Sequence, residues 1–110
     1  MRANVLTALT AVAFFNPLFA QSVTSEIKGT VSDPQGAAVP SARVEIRDAD
    51  TNATFRATTS ERGGFAVPSL PTAVYRVTIA ASGFQTMVVE GVKLEPGKPA
   101  TVNVTLSSAI

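Results

Sequence analysis

The chain has 110 residues, with nine Lys and Arg against eight Asp and Glu, and it contains neither histidine nor cysteine. That length holds one small domain. Without thiols there are no disulfide staples and no cysteine nucleophile, and without imidazoles there is no Ser-His activation and no use of the commonest zinc ligand.

Met1-Arg2-Ala3-Asn4 carries one positive charge, Val5 to Phe15 is an apolar run of 11 residues, and Asn16-Pro17 breaks it before Leu18-Phe19-Ala20. This order reads as an export signal over residues 1–20, cleaved after Ala20. The run is well short of the roughly 20 apolar residues of a spanning helix. No transmembrane helix is therefore expected after cleavage; the competing reading is a hydrophobic N-terminal strand or anchor. No cysteine follows the site, so a signal without lipid attachment is expected. The expected location is exported: periplasmic, outer-membrane-associated or secreted. Cleavage removes Arg2 and leaves residues 21–110 with eight cations and eight anions. A formally neutral domain suggests no basic stripe for nucleic acid and no acidic tail.

From there on, apolar residues recur at period two and turn signals arrive about every 8–12 residues. Ile27, Gly29 and Val31 alternate with Lys28, Thr30 and Ser32 before the turn Asp33-Pro34-Gln35-Gly36. Ala42, Val44 and Ile46 alternate with Arg43, Glu45 and Arg47, a clear half-buried strand. Asp48 to Asn52 turns, and Phe55 and Ala57 face one side while Arg56 and Thr58 face the other. Phe65 and Val67 form a short fourth strand ending at Pro68, and Tyr75, Val77 and Ile79 form a fifth. Ser82-Gly83 leads into a less regular strand from Phe84 to Val89. Val92 and Leu94 follow, Pro96-Gly97 interrupts, and Val102, Val104 and Leu106 close the domain. The expectation is an all-β fold, a seven- to eight-stranded antiparallel β-sandwich, with prolines at run boundaries.

Three stretches carry a family resemblance: "KGTVSDPQGAAVPSARVEI" (28–46), "TTSERGGFAVPSLPTAVYRVTI" (58–79) and "AASGF" (80–84). They resemble the carboxypeptidase regulatory-like domain, a transthyretin-like β-sandwich, from about Ile27 to Leu106. Gly29-Thr30-Val31, Asp33-Pro34, Gly36-Ala37, Val39-Pro40 and Ala42 all fall in register with it. One departure stands out. Where the family commonly has Pro-x-Gly-x-Tyr, this chain has Pro71-Thr72-Ala73-Val74-Tyr75. Alanine tolerates positive φ worse than glycine, so a rebuilt turn is expected there. The resemblance implies a module that accompanies catalytic or receptor domains. In many bacteria it stands between a signal peptide and the plug and barrel of a TonB-dependent outer-membrane receptor. The chain is accordingly expected to be a free-standing exported module or the front of such a receptor.

The resemblance brings no metal ligands, because the zinc site of the carboxypeptidases lies in their separate catalytic domain. Catalysis would rest on carboxylates alone, as in glycosidases. Those beyond the signal are Glu26, Asp33, Glu45, Asp48, Asp50, Glu61, Glu90 and Glu95, mostly in turns or on outward faces where ordinary pKa values are expected. Asp48-Ala49-Asp50-Thr51-Asn52 resembles the start of a calcium loop, but Ala53 stands where glycine belongs and Thr59 where a bidentate glutamate belongs. A self-capped hairpin turn is the better reading. Lys28 and Asn103 could form an isopeptide only if desolvated, and strand parity turns both outward. The acceptor triplets at Asn52 and Asn103 are discounted as chance matches. Sugar stacking needs exposed aromatics; no Trp is present, and Phe55, Phe65, Tyr75 and Phe84 are expected mostly in the core. No catalytic residue, cofactor or metal is assigned. The expectation is a non-catalytic structural or interaction module that meets a protein partner or a neighbouring domain, with a glycan as the alternative and no nucleic acid. Loops near 33–40, 48–52, 60–64 and 95–100 and an open sheet edge are its expected contact surfaces; Lys93 and Lys98 read first as solubilising charges and second as guards of an edge.

Overall fold

Alternation decides which face of each strand stays dry. In the computed structural model, which describes residues 23–110, eight strands follow from it: β1 (Thr24–Ser32), β2 (Arg43–Asp48), β3 (Thr54–Thr58), β4 (Gly64–Pro71), β5 (Val74–Ala80), β6 (Met87–Lys93), β7 (Ala100–Thr101) and β8 (Val104–Thr105). The expected signal, residues 1–20, lies outside the described residues. No helix occurs among the described residues.

The strands form two sheets. One is wholly antiparallel, in the order β3-β2-β5-β6. In the other, β1 pairs antiparallel with β4 on one side and parallel with β7 and β8 on the other. The expected all-β sandwich is thus what forms, with one sheet mixed because the last strands run parallel alongside the first. The chain crosses between layers after β1, β3, β4 and β6. Ile27, Val31, Val44, Ile46, Leu70, Val77, Ile79 and Leu106 are all at most 1% exposed and fill the interior between the sheets. Each such side chain contributes about 1.5–3 kcal/mol by leaving water.

Two strands differ from their sequence reading. β4 does not stop at Val67 but continues through Pro68 to Pro71. The register jumps from Ile27↔Val67 to Ser25↔Leu70, so Pro68 and Ser69 sit in a bulge on an edge strand, where no ladder N–H is required. Ser69 takes φ 60° there. The expected sixth strand, Phe84 to Val89, and the Val92 segment merge into the single strand β6, kinked at Gly91 (φ 69°) where the pairing with β5 shifts. Phe84 itself forms only an isolated bridge to Ser108.

The Gly63-Gly64 turn serves the crossing from β3 to β4. Gly63 has φ 78°, and a β-carbon on it would lie 2.5 Å from the Val31 carbonyl oxygen. Its own carbonyl accepts from Val31 N–H at 2.8 Å, which ties this turn to the end of β1.

Candidate functional site

The solvent face of the β3-β2-β5-β6 sheet is built by parity. Because Val44 and Ile46 point into the sandwich, Arg43, Glu45 and Arg47 point out. On β3, Arg56 lies opposite Glu45; on β5, Arg76 lies opposite Arg47 and Thr78 opposite Glu45. Two concavities open on this face. One, of about 310 Å³, is lined by Arg43, Glu45, Arg56, Thr58, Thr78 and Ala80 among others. The second, of about 220 Å³, is lined by Arg47, Asn52, Val74, Arg76, Glu90 and Gly91 among others. Glu45 accepts from Arg56 at 3.2 Å and lies 3.8 Å from Arg47, while Arg76 Nε donates to Glu90 at 3.1 Å. These pairs are exposed, so each contributes about 0.2–1 kcal/mol at most. Their side chains are free to reorient toward a ligand.

The residues singled out in the sequence are scattered by comparison. Among the described residues, no three His, Cys, Asp or Glu side chains converge on a metal position. Asp33 Oδ1 accepts from the N–H groups of Gln35 and Ala37, both at 2.9 Å, and closes its own turn. Asp48 Oδ1 does the same with Asp50 N–H at 2.8 Å and Thr51 N–H at 3.2 Å. The Asp48–Asn52 segment is therefore a self-capped hairpin, completed by Asn52 at φ 65°. The expectation of ordinary titration fails at Asp48. It is 8% exposed, and the Asp50 and Thr51 amide donors hold its carboxyl below the usual aspartate range, against the opposing effect of burial. Burial, then the Asp48 charge, push the Tyr75 phenol up. Its hydroxyl donates to the Pro71 carbonyl, and Ala73, which stands in the turn before it, adopts no positive φ.

Lys28 and Asn103 are both exposed, and Asn103 Oδ1 accepts from Thr30 N–H at 3.0 Å and Thr30 Oγ1 at 3.1 Å. That side chain bridges the gap between β7 and β8. Phe65 and Tyr75 are buried, and Phe55 and Phe84 pack partly buried against the same core. The four expected contact loops divide between opposite ends of the sandwich. Residues 33–40 and 60–64 meet at one end, where Val31 N–H reaches Gly63, while 48–52 and 95–100 lie at the other, beside the Val74 and Ala73 carbonyls. Lys93 is on the edge strand β6, whereas Lys98 pairs with Glu95 at 3.6 Å.

A family profile described as carboxypeptidase regulatory-like domain matches residues 26–107. The chain belongs to that family. Among solved structures, this regulatory-like domain is similar to hydroxyquinol 1,2-dioxygenase from Pseudomonas putida DLL-E4 (TM-score 0.62, 16% identity, covering 80% of this chain and 57% of that one). It is also similar to the Bacillus anthracis TIE protein (0.63, 18%, covering 78% and 17%). A third is a putative carbohydrate binding protein from Bacteroides uniformis ATCC 8492 (0.61, 17%, covering 74% and 40%). At such identities the likeness is one of fold alone, and the domain spans no more than 57% of any of the three. A comparison with curated proteins gives no significant sequence match.

Two features of the regulatory-like domain escaped the sequence reading. Thr59, weighed only as a failed calcium ligand, is 5% exposed; its Oγ1 donates to Val39 O at 2.7 Å and accepts from Ala42 N–H at 2.8 Å. It satisfies two buried backbone groups where the chain enters β2. The other is the gathering of Arg43, Arg47, Arg56 and Arg76 on one face, although cations and anions are equal in number over residues 21–110. Parity within each strand was readable; the order β3-β2-β5 that unites them was not.

Proposed function

We propose that this carboxypeptidase regulatory-like domain is an exported, non-catalytic interaction module that offers the solvent face of β3-β2-β5-β6 to a protein partner or a neighbouring domain. One observation carries the reading: both concavities open on that outer face, while apolar side chains fill the interior. Recognition then takes place on a sheet surface, not in an enclosed pocket of the kind catalysis favours. The export-like residues 1–20 directly before the domain support a sharper version, in which it serves as the N-terminal extension, or a remnant, of a TonB-dependent outer-membrane receptor. Among the described residues, no helix is long and apolar enough to cross a membrane.

Site-specific photo-crosslinking in cells tests this. A crosslinker at Thr58, on the proposed face, is expected to capture a discrete partner outside the cytoplasm, in a chain shortened after Ala20. The same crosslinker at Thr101, on the other sheet, is expected to capture none. A receptor-sized outer-membrane partner supports the sharper version; capture confined to Thr101, or a chain that stays in the cytoplasm, refutes the module reading.

A carbohydrate-binding role is the second reading, favoured by the fold likeness to the Bacteroides uniformis protein. A glycan array decides it: binding that depends on the Thr58 and Thr78 hydroxyls supports it, and no binding at millimolar ligand ends it.

A further inference from the structure

Charge is unevenly spread over the neutral sandwich. The solvent face of β3-β2-β5-β6 carries four arginines and Lys93 against Glu45 and Glu90, a net of +3. The remaining charges of residues 23–110 are three cations and six carboxylates, a net of −3. The arginines stand in two pairs, one at each concavity: Arg43 with Arg56, and Arg47 with Arg76. Arg43 makes no ion pair with a described residue. Arg47 and Arg76 lie directly opposite each other across β2 and β5, an unfavourable placement for like charges. Glu90, on Arg76 at 3.1 Å, and Glu45, 3.8 Å from Arg47, offset it in part, and a further carboxylate would offset more. Between the pairs stands Glu45, already held by Arg56 and Arg47.

Spacing along β2 adds a geometric condition. Arg43 and Arg47 are four residues apart, about 13 Å in a strand, which is also the distance between positions i and i+4 of any extended chain. Guanidinium forks match carboxylates in planar, two-point fashion. We propose that this face binds an extended acidic peptide segment of a partner protein, with carboxylates at i and i+4 and a neutral residue at i+2. The first carboxylate enters the Arg43–Arg56 concavity and the second the Arg47–Arg76 concavity. The i+2 side chain then lies over Glu45, where a third carboxylate meets its own sign. Exposed Val74 and Val88, at 42% and 46%, give the segment an apolar border. Tyr75 borders the second concavity but is only 1% exposed, and among the described residues no exposed aromatic side chain lies on this face, so ring stacking on a sugar has no platform there. The inference rests on the interaction-module reading and specifies the partner's chemistry.

Titration calorimetry of the purified protein with synthetic peptides tests it. The peptide Ser-Glu-Ser-Thr-Ser-Glu-Ser is expected to bind in low salt, and to bind about ten-fold more weakly in 1 M salt, where the screening length falls to about 3 Å. Ser-Glu-Ser-Glu-Ser-Glu-Ser, although more acidic, is expected to bind more weakly than the two-carboxylate peptide. Arg43→Thr and Arg47→Thr are each expected to weaken binding about ten-fold while leaving the melting temperature within a few degrees, both changes being on an exposed face. Equal or tighter binding of the three-carboxylate peptide overturns the proposal, as does an Arg43→Thr protein that melts normally and binds unchanged. Tighter binding of polygalacturonate at the same arginines also overturns it, in favour of an acidic glycan. Failure of the peptides with Thr58 crosslinking intact refutes this inference alone; loss of that crosslinking refutes the module reading beneath it.

Discussion

A β-carbon built on Gly29 would lie 1.7 Å from the carbonyl oxygen of Val102. Gly29 occupies an inward position in the alternation of β1, yet the space its side chain would fill belongs to the backbone of the closing segment. Val102 N–H donates to the Lys28 carbonyl at 2.7 Å, which fixes the approach. Gly29→Ala is therefore expected to cost about 3 kcal/mol or more, a large share of the stability of a domain this size. Gly36→Ala serves as the contrast: its φ is 86°, but nothing lies within 4 Å, and the expected cost is about 1 kcal/mol. Urea denaturation of the two variants checks the difference; equal losses would contradict the close-approach account.

Thr59→Val keeps the shape of a buried side chain and removes its hydroxyl. Val39 O and Ala42 N–H are then left without that partner in a region at most 5% exposed. The expected loss is about 2–4 kcal/mol, whereas Thr59→Ser, which keeps both hydrogen bonds, should lose about 1 kcal/mol for its methyl group. If both variants melt alike, the hydroxyl is not what holds this corner.

Stability should fall at both ends of the pH scale. At Asp48 the folded pKa is depressed, so its contribution is present above the ordinary aspartate value of about 3.9 and is lost as pH drops through the folded value. At Tyr75 the folded pKa is raised. The unfolded chain therefore ionises first, and stability declines as pH climbs above about 10. Tyr75→Phe is expected to flatten the alkaline limb and to cost about 1 kcal/mol at neutral pH for the lost bond to Pro71 O. Asp48→Asn should lower the melting temperature at pH 7 and flatten the acid limb. Melting curves from pH 2 to pH 11 give the comparison.

Millimolar calcium should leave the melting temperature where chelator leaves it. Asp48 Oδ1 is already engaged by two amide donors of its own turn. An ion that bound the folded form would raise the transition by mass action. A rise of several degrees would show that the turn opens to accept one.

How far the sequence discloses this arrangement depends on the range of the interaction. Val44 and Ile46 were legible as core and Arg43 and Arg47 as surface, because alternation over six residues is a local signal. The parallel alignment of β7 and β8 with β1 was not, since alternation fixes a strand's two faces and leaves its neighbours open. Pro68 looked like an end because its missing N–H argues against a ladder, and a bulge removed that objection. Thr59 lies between strands, where no periodicity speaks for a hydroxyl. The arginine face needed both kinds of information, parity from the sequence and strand order from the fold.

The parallel placement of residues 100–105 beside β1 also governs the order in which the molecule can complete itself. During synthesis β4 can cover one flank of β1 early, but the opposite flank stays bare until the C-terminal residues have been made. Such distant pairing is slow to form. A growing chain therefore keeps an unfinished sheet until its closing residues emerge, and a truncation before Ala100 should be held open in that incomplete state.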